Sequence, residues 1–233
     1  MIRTFLVALC FVMLFVGSAL AHDVWIETNG NKLNIVWGHP GKTEAYDPEK
    51  VEKVWAFDVS GKAVPVQVDK KSDSAVMIPD KNAAVVSLLF NSGYWTKTTD
   101  GYKNSSKKGI KDVIESFHSI RFSKILLRWS EELKKPLDSE IDIVPLQNPF
   151  TLKPGDTFTL KVFYKGKPIP EATIYGVGKR EERIKTDKDG LANVIIEKAE
   201  TQKIGAMHKI QLPNDSNADY LVRTVNMIFE VKD

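Results

Sequence analysis

The chain has 233 residues, with 33 Lys and Arg against 30 Asp and Glu, a formal charge of +3 and one cysteine. The charges of both signs are interspersed, and no basic stripe with interleaved aromatics appears, so the composition argues against nucleic acid as a partner. The one cysteine, Cys10, lies in an N-terminal apolar run, so the rest of the chain has no disulfide, thiolate metal ligand or cysteine nucleophile to draw on.

The chain begins with Met1-Ile2-Arg3, a short basic start, followed by an apolar run from Phe5 to Val16 and then Ser18-Ala19-Leu20-Ala21. Small residues at the third-last and last positions before His22 give the layout of a secretory signal peptide cut after Ala21. The run is shorter than the ~20 residues a spanning helix needs. The expected mature chain is exported to the periplasm, is not inserted in the membrane, and keeps 212 of the 233 residues with His22 first.

Asp23 to Glu27 reads as a strand, Asn29-Gly30-Asn31 as a turn and Lys32 to Trp37 as the return strand of a hairpin. Further strands are expected over Val54–Val59, Val64–Val68, Ala75–Ile78 and Ala83–Phe90. From Lys97 the texture turns polar and loop-like. Then Ile110, Val113, Ile114, Phe117, Ile120, Ile125, Leu126, Trp129 and Leu133 recur mainly at steps of three and four. That spacing predicts an amphipathic helix, or two broken near Arg121, stopped by Pro136. From Ile141 the pattern is β again, with strands over Thr157–Tyr164, Ala172–Val177, Glu182–Thr186, Leu191–Ile196, Lys203–Ile210 and Tyr220–Val231. The expected fold is mainly β: two antiparallel β-sandwich-like domains with a helical insertion. Its parts are a signal peptide (1–21), an N-terminal β domain (22–96), a loop and helical insertion (97–140) and a C-terminal β-sandwich (141–233).

The four histidines are His22, His39, His118 and His208. With a two-residue loop at Asn29-Gly30, His22 stands opposite Trp37, and His39 lies diagonally beside it on the same face. Such neighbours are roughly 7–8 Å apart at the backbone. With a three-residue loop His39 falls on the other face. Either way the two share one end of the hairpin. A chain that starts at His22 also offers an amine, which titrates near ~7.7–8. Nitrogen donors without thiolates suit nickel, cobalt, copper or zinc. Spacing alone leaves a metal site and incidental histidines both open. His208 sits on a strand flank that sequence geometry does not place, and His118 reads as a surface or packing histidine of the helix. No G-x-S-x-G elbow, H-E-x-x-H helix or Gly-rich phosphate loop is present, so an enzyme is not expected. Asp187-Lys188-Asp189-Gly190 reads as a hairpin turn and not as a calcium loop.

Several stretches carry a family resemblance: "AHDVWIE", "WGHPGKTEAYDP", "GYWTKTTDGYKN", "IVPLQNPFTLKPGD", "GKPIPEATIYG", "KTDKDGLANVII" and "AMHK". Together they resemble an exported family of periplasmic nickel/cobalt uptake proteins, across nearly the whole mature chain. "GKPIPEATIYG" and "TDKDGLA" also resemble the carboxypeptidase-regulatory, transthyretin-like β-sandwich. The resemblance implies capture of nickel or cobalt and delivery to a membrane permease, with His22, His39 and His208 as the matching ligands. Two further readings stand beside it. One is a copper protein whose amine and two imidazoles form a brace. The other is a β-sandwich binding or adhesion module using Trp25, Trp37, Trp55, Tyr94 and Trp95 as a platform.

Overall fold

The computed structural model describes residues 22–39, 41–176 and 184–232. The expected signal peptide and its expected cut, Pro40, and the facing ends of the two strands expected around 177–183 lie outside the described residues. The strands are Asp23–Asn29 (β1), Lys32–His39 (β2), Lys42–Glu44 (β3), Val51–Phe57 (β4), Ala63–Val64 (β5) and Val66–Lys70 (β6). Ala75–Pro79 (β7), Val85–Thr98 (β8), Gly101–Lys103 (β9), Val113–Leu126 (β10), Ile141–Pro145 (β11) and Thr157–Tyr164 (β12) follow. The last are Lys167–Pro168 (β13), Thr173–Tyr175 (β14), Ile184–Lys185 (β15), Leu191–Ile195 (β16), Thr201–Gln211 (β17) and Tyr220–Glu230 (β18).

Three sheets result. A five-stranded sheet has the order β1-β2-β7-β6, with β3 added beside β2. A nine-stranded sheet runs β15-β14-β17-β18-β10-β8-β4-β5, with β9 beside β8. A four-stranded sheet joins β11, β12, β13 and β16. The large sheet takes strands from both halves of the chain, and the halves meet where β10 pairs with β18 in parallel. Two cores lie against it. Val24, Ile26, Leu33, Ile35 and Trp37 of the five-stranded sheet pack with Val51, Leu88, Phe90 and Ile125. Phe158, Leu160 and Val162 of β12 pack with Ile174, Ala206, Val225, Met227 and Phe229, and with Phe122 and Leu126 of β10.

The helical insertion is not found. Among the described residues the helices are the short 3-10 turns Pro48–Lys50, Glu131–Lys134 and Pro149–Thr151, and none is long and apolar enough to cross a membrane. The expected helix is β10, a central strand that serves both cores, with Phe122 in one and Ile125 in the other. A strand buried on both faces loses the alternation that marks a half-exposed one. Ser116, Ser119, Arg121, Ser123 and Lys124 on β10 are buried too. Ser116 shares a 2.8 Å hydrogen bond with Thr96, the Ser123 hydroxyl donates to Asn226 Oδ1 at 2.6 Å, and Lys124 donates to Asp142 at 2.7 Å. With those polar residues counted as exposed, the apolar ones fell at helical steps. Asp187 does sit in a turn, where its Oδ1 accepts from the backbone N–H groups of Asp189 and Leu191, both at 2.9 Å, but the turn closes no hairpin: β15 before it pairs with β14 in the large sheet, and β16 after it pairs with β12 in the four-stranded one.

Candidate metal centre

The first hairpin sets the site. Asn29 pairs with Lys32, so the two loop residues are Gly30 and Asn31. Gly30 has φ 60° and Asn31 has no positive φ, which is the type II′ pattern with glycine at the first loop position. The loop is one residue further along than Asn29-Gly30, which moves every cross-strand partner by two. Asp23 therefore faces Gly38, and His22 comes level with His39 instead of Trp37. The two imidazole centroids are 4.3 Å apart.

A second tight return brings in a carboxylate. β3 folds back on β2 with His39 opposite Lys42 and Trp37 opposite Glu44. Gly38 has φ 145°, and a Cβ there would collide with the Lys42 carbonyl oxygen. Only glycine allows this close approach. Tyr46 then ties the following segment down. Its hydroxyl donates to the Ile35 carbonyl at 3.0 Å and accepts from the Ala75 N–H at 2.8 Å. Burial pushes the Tyr46 phenol up to about 12, so it stays a neutral structural link.

Ligand atoms of His22, His39 and Glu44 all lie within 4.8 Å of one another. His22 Nε2 donates to Glu44 Oε2 at 2.8 Å, and both side chains are about one-third exposed (33% each). The hydrogen bond from His22 holds the Glu44 carboxyl below its ordinary range, assisted by Lys42 at 3.4 Å. Glu44 is thus ionised at neutral pH and available as an oxygen donor. The His22 ring also stacks on Trp37 at 5.3 Å, and Trp37 stacks on Phe90 at 4.8 Å. The cluster is therefore half-open, with a rigid aromatic floor.

Glu44 was not among the residues expected from sequence. The signal for it was present in "GHPGKTE", since a Pro-Gly turn after a strand sends Lys42–Glu44 back along β2. His208 stands elsewhere. It lies opposite Arg223 on β17, and its ring packs on Tyr164 at 5.1 Å. Burial lowers its pKa, which keeps it neutral. His118 lies on β10, where its ring stacks on Tyr94 at 4.5 Å. Trp25, Trp37 and Trp55 are buried in the two cores and form no exposed platform.

A Haemophilus influenzae protein described as an uncharacterized protein is 26% identical over 216 residues, which cover 91% of each chain. Among solved structures, the D0-D1 domain of Intimin is matched over 90% of this chain and 100% of that one. Identity there is 11% and the TM-score 0.22, too low to show a shared fold. A family model described as a domain of unknown function, DUF4198, matches residues 19–210. The chain belongs to the DUF4198 family.

Proposed function

We propose that the chain is an exported metal-capture protein whose mature form begins at His22 and holds a divalent transition ion, nickel or cobalt, between His22, His39 and Glu44. The observation that carries this reading is the convergence of two imidazoles and an ionised carboxylate within 4.8 Å. Cleavage after Ala21 adds the His22 amine, giving three nitrogens and one oxygen without thiolates, a donor set suited to nickel, cobalt, copper or zinc. The family resemblance favours nickel or cobalt within that group. The half-open position of the ligands supports uptake and release, and hand-over to a membrane permease, in place of turnover. His208 takes no part in this ligand set.

A copper reading shares the site. The facing His22 and His39 rings, with the amine of His22, make a three-nitrogen brace, and copper(II) would outcompete nickel at such a site in vitro. The metal content of the protein exported by its own cell separates the two.

The test is nickel and cobalt titration of protein starting at His22, followed by calorimetry and by tryptophan fluorescence, since Trp37 stacks on a ligand. Glu44→Gln removes the anionic donor and keeps the shape, and it is expected to weaken binding by about tenfold or more. No binding by the wild type, or equal binding by Glu44→Gln, contradicts the site as drawn.

A further inference from the structure

His22 lies one residue outside the β1–β2 ladder, whose last pair is Asp23 with Gly38. A chain end in that position frays unless something ties it down. Asp23 is tied down from three strands of the large sheet. Its Oδ1 lies 3.6 Å from Arg121 Nη1 on β10, and its Oδ2 lies 3.7 Å from Lys203 Nζ on β17. Asn226 Nδ2 on β18 donates to Asp23 Oδ2 at 3.4 Å and to the Val24 carbonyl at 2.7 Å.

The partners are themselves fixed. Asn226 Oδ1 accepts from the Ser123 hydroxyl, and Arg121 Nε donates to Ser92 Oγ at 3.1 Å. The Arg121 guanidinium also lies 5.6 Å above Trp37, the ring that supports His22. Lys203 covers Trp25 at 4.4 Å. The Asp23 side chain is only 13% exposed, so its charge faces these groups and little water.

We propose that Asp23 is a positioning residue: with Arg121, Lys203 and Asn226 it latches the start of β1 onto the large sheet and so holds His22 over Trp37 and against His39. The proposal rests on the metal-capture reading for its functional meaning. Two cations share this one carboxylate. Without Asp23 they would repel each other and an incoming divalent ion, so the latch also keeps the site electrostatically open to a cation. The latch makes the metal site conditional on docking of the hairpin. A detached β1 would carry the same ligands without their convergence.

The experiment compares wild type, Asp23→Asn and Asp23→Ala, each released from a fusion so that His22 is the first residue. Two quantities are read. One is the proton NMR shift of the His22 ring in metal-free protein, which stacking on Trp37 moves upfield. The other is nickel affinity. Both variants are expected to lose the upfield shift and to bind nickel about tenfold or more weakly, the range seen when an outer partner of a ligand is removed. A retained shift with affinity within about twofold of wild type, inside ordinary context-dependent variation, would overturn the latch. If Asp23→Ala fails to fold, the isosteric Asp23→Asn decides. If wild type binds no nickel, the metal reading fails, and the ring shift still decides whether Asp23 places His22.

Discussion

Asp142→Asn is expected to destabilise the protein by about 3–5 kcal/mol, the range for removing one partner of a buried ion pair. Asp142 on β11 accepts from Lys124 Nζ at 2.7 Å and from the Leu137 N–H at 3.0 Å. The two charged side chains are 4% and 2% exposed, so neither charge has water to fall back on. The neutral amide leaves the Lys124 ammonium buried beside the second core with no counterion. For a chain of this size about 2–4 °C of melting temperature accompanies each kcal/mol, so thermal unfolding should start about 10 °C lower. The double change Lys124→Met with Asp142→Leu should recover most of the loss, because it removes both desolvation penalties at similar volume. If Asp142→Asn melts with wild type, the pair is not closed to solvent as described.

His39→Ala is expected to abolish tight metal binding while leaving the fold in place. His39 is half-buried at the end of β2, and its backbone pairing with Lys42 does not depend on its ring. Removing the ring takes away a direct donor. Outer partners of ligands are worth about 10–100-fold in affinity, so a direct ligand should cost more than about 100-fold. The same titration on His208→Ala should match wild type, since His208 packs on Tyr164 and not in the cluster. Equal losses for both histidines would restore the ligand set that the family resemblance implies.

Much of this site was legible in the sequence, and its errors have definite causes. The hairpin, its Gly-Asn turn region and the meeting of His22 with His39 follow from alternation and turn residues. The register did not, because Asn29-Gly30 (type I′, both φ positive) and Gly30-Asn31 (type II′, only the Gly30 φ positive) are both acceptable two-residue loops. Glu44 was missed because a three-residue strand has no periodicity of its own. β10 carries a helix-like spacing because residues such as Ser119, Arg121 and Ser123 are buried in contact with neighbouring strands. Single-sequence patterns count them as exposed. The placement of His208 depends on which face of β17 meets β12, a long-range fact that no local stretch encodes.

The most direct test of the central claim is nickel and cobalt titration of two forms of the protein. One begins at His22, and the other carries a single extra alanine before it. The extra residue moves the free amine away from the imidazole and leaves every side chain, including Glu44 and the Asp23 latch, unchanged. Tight binding by the native form and weak binding by the extended one is the predicted result. Equal tight binding by both would remove the amine from the ligand set, and no binding by either would contradict metal capture altogether.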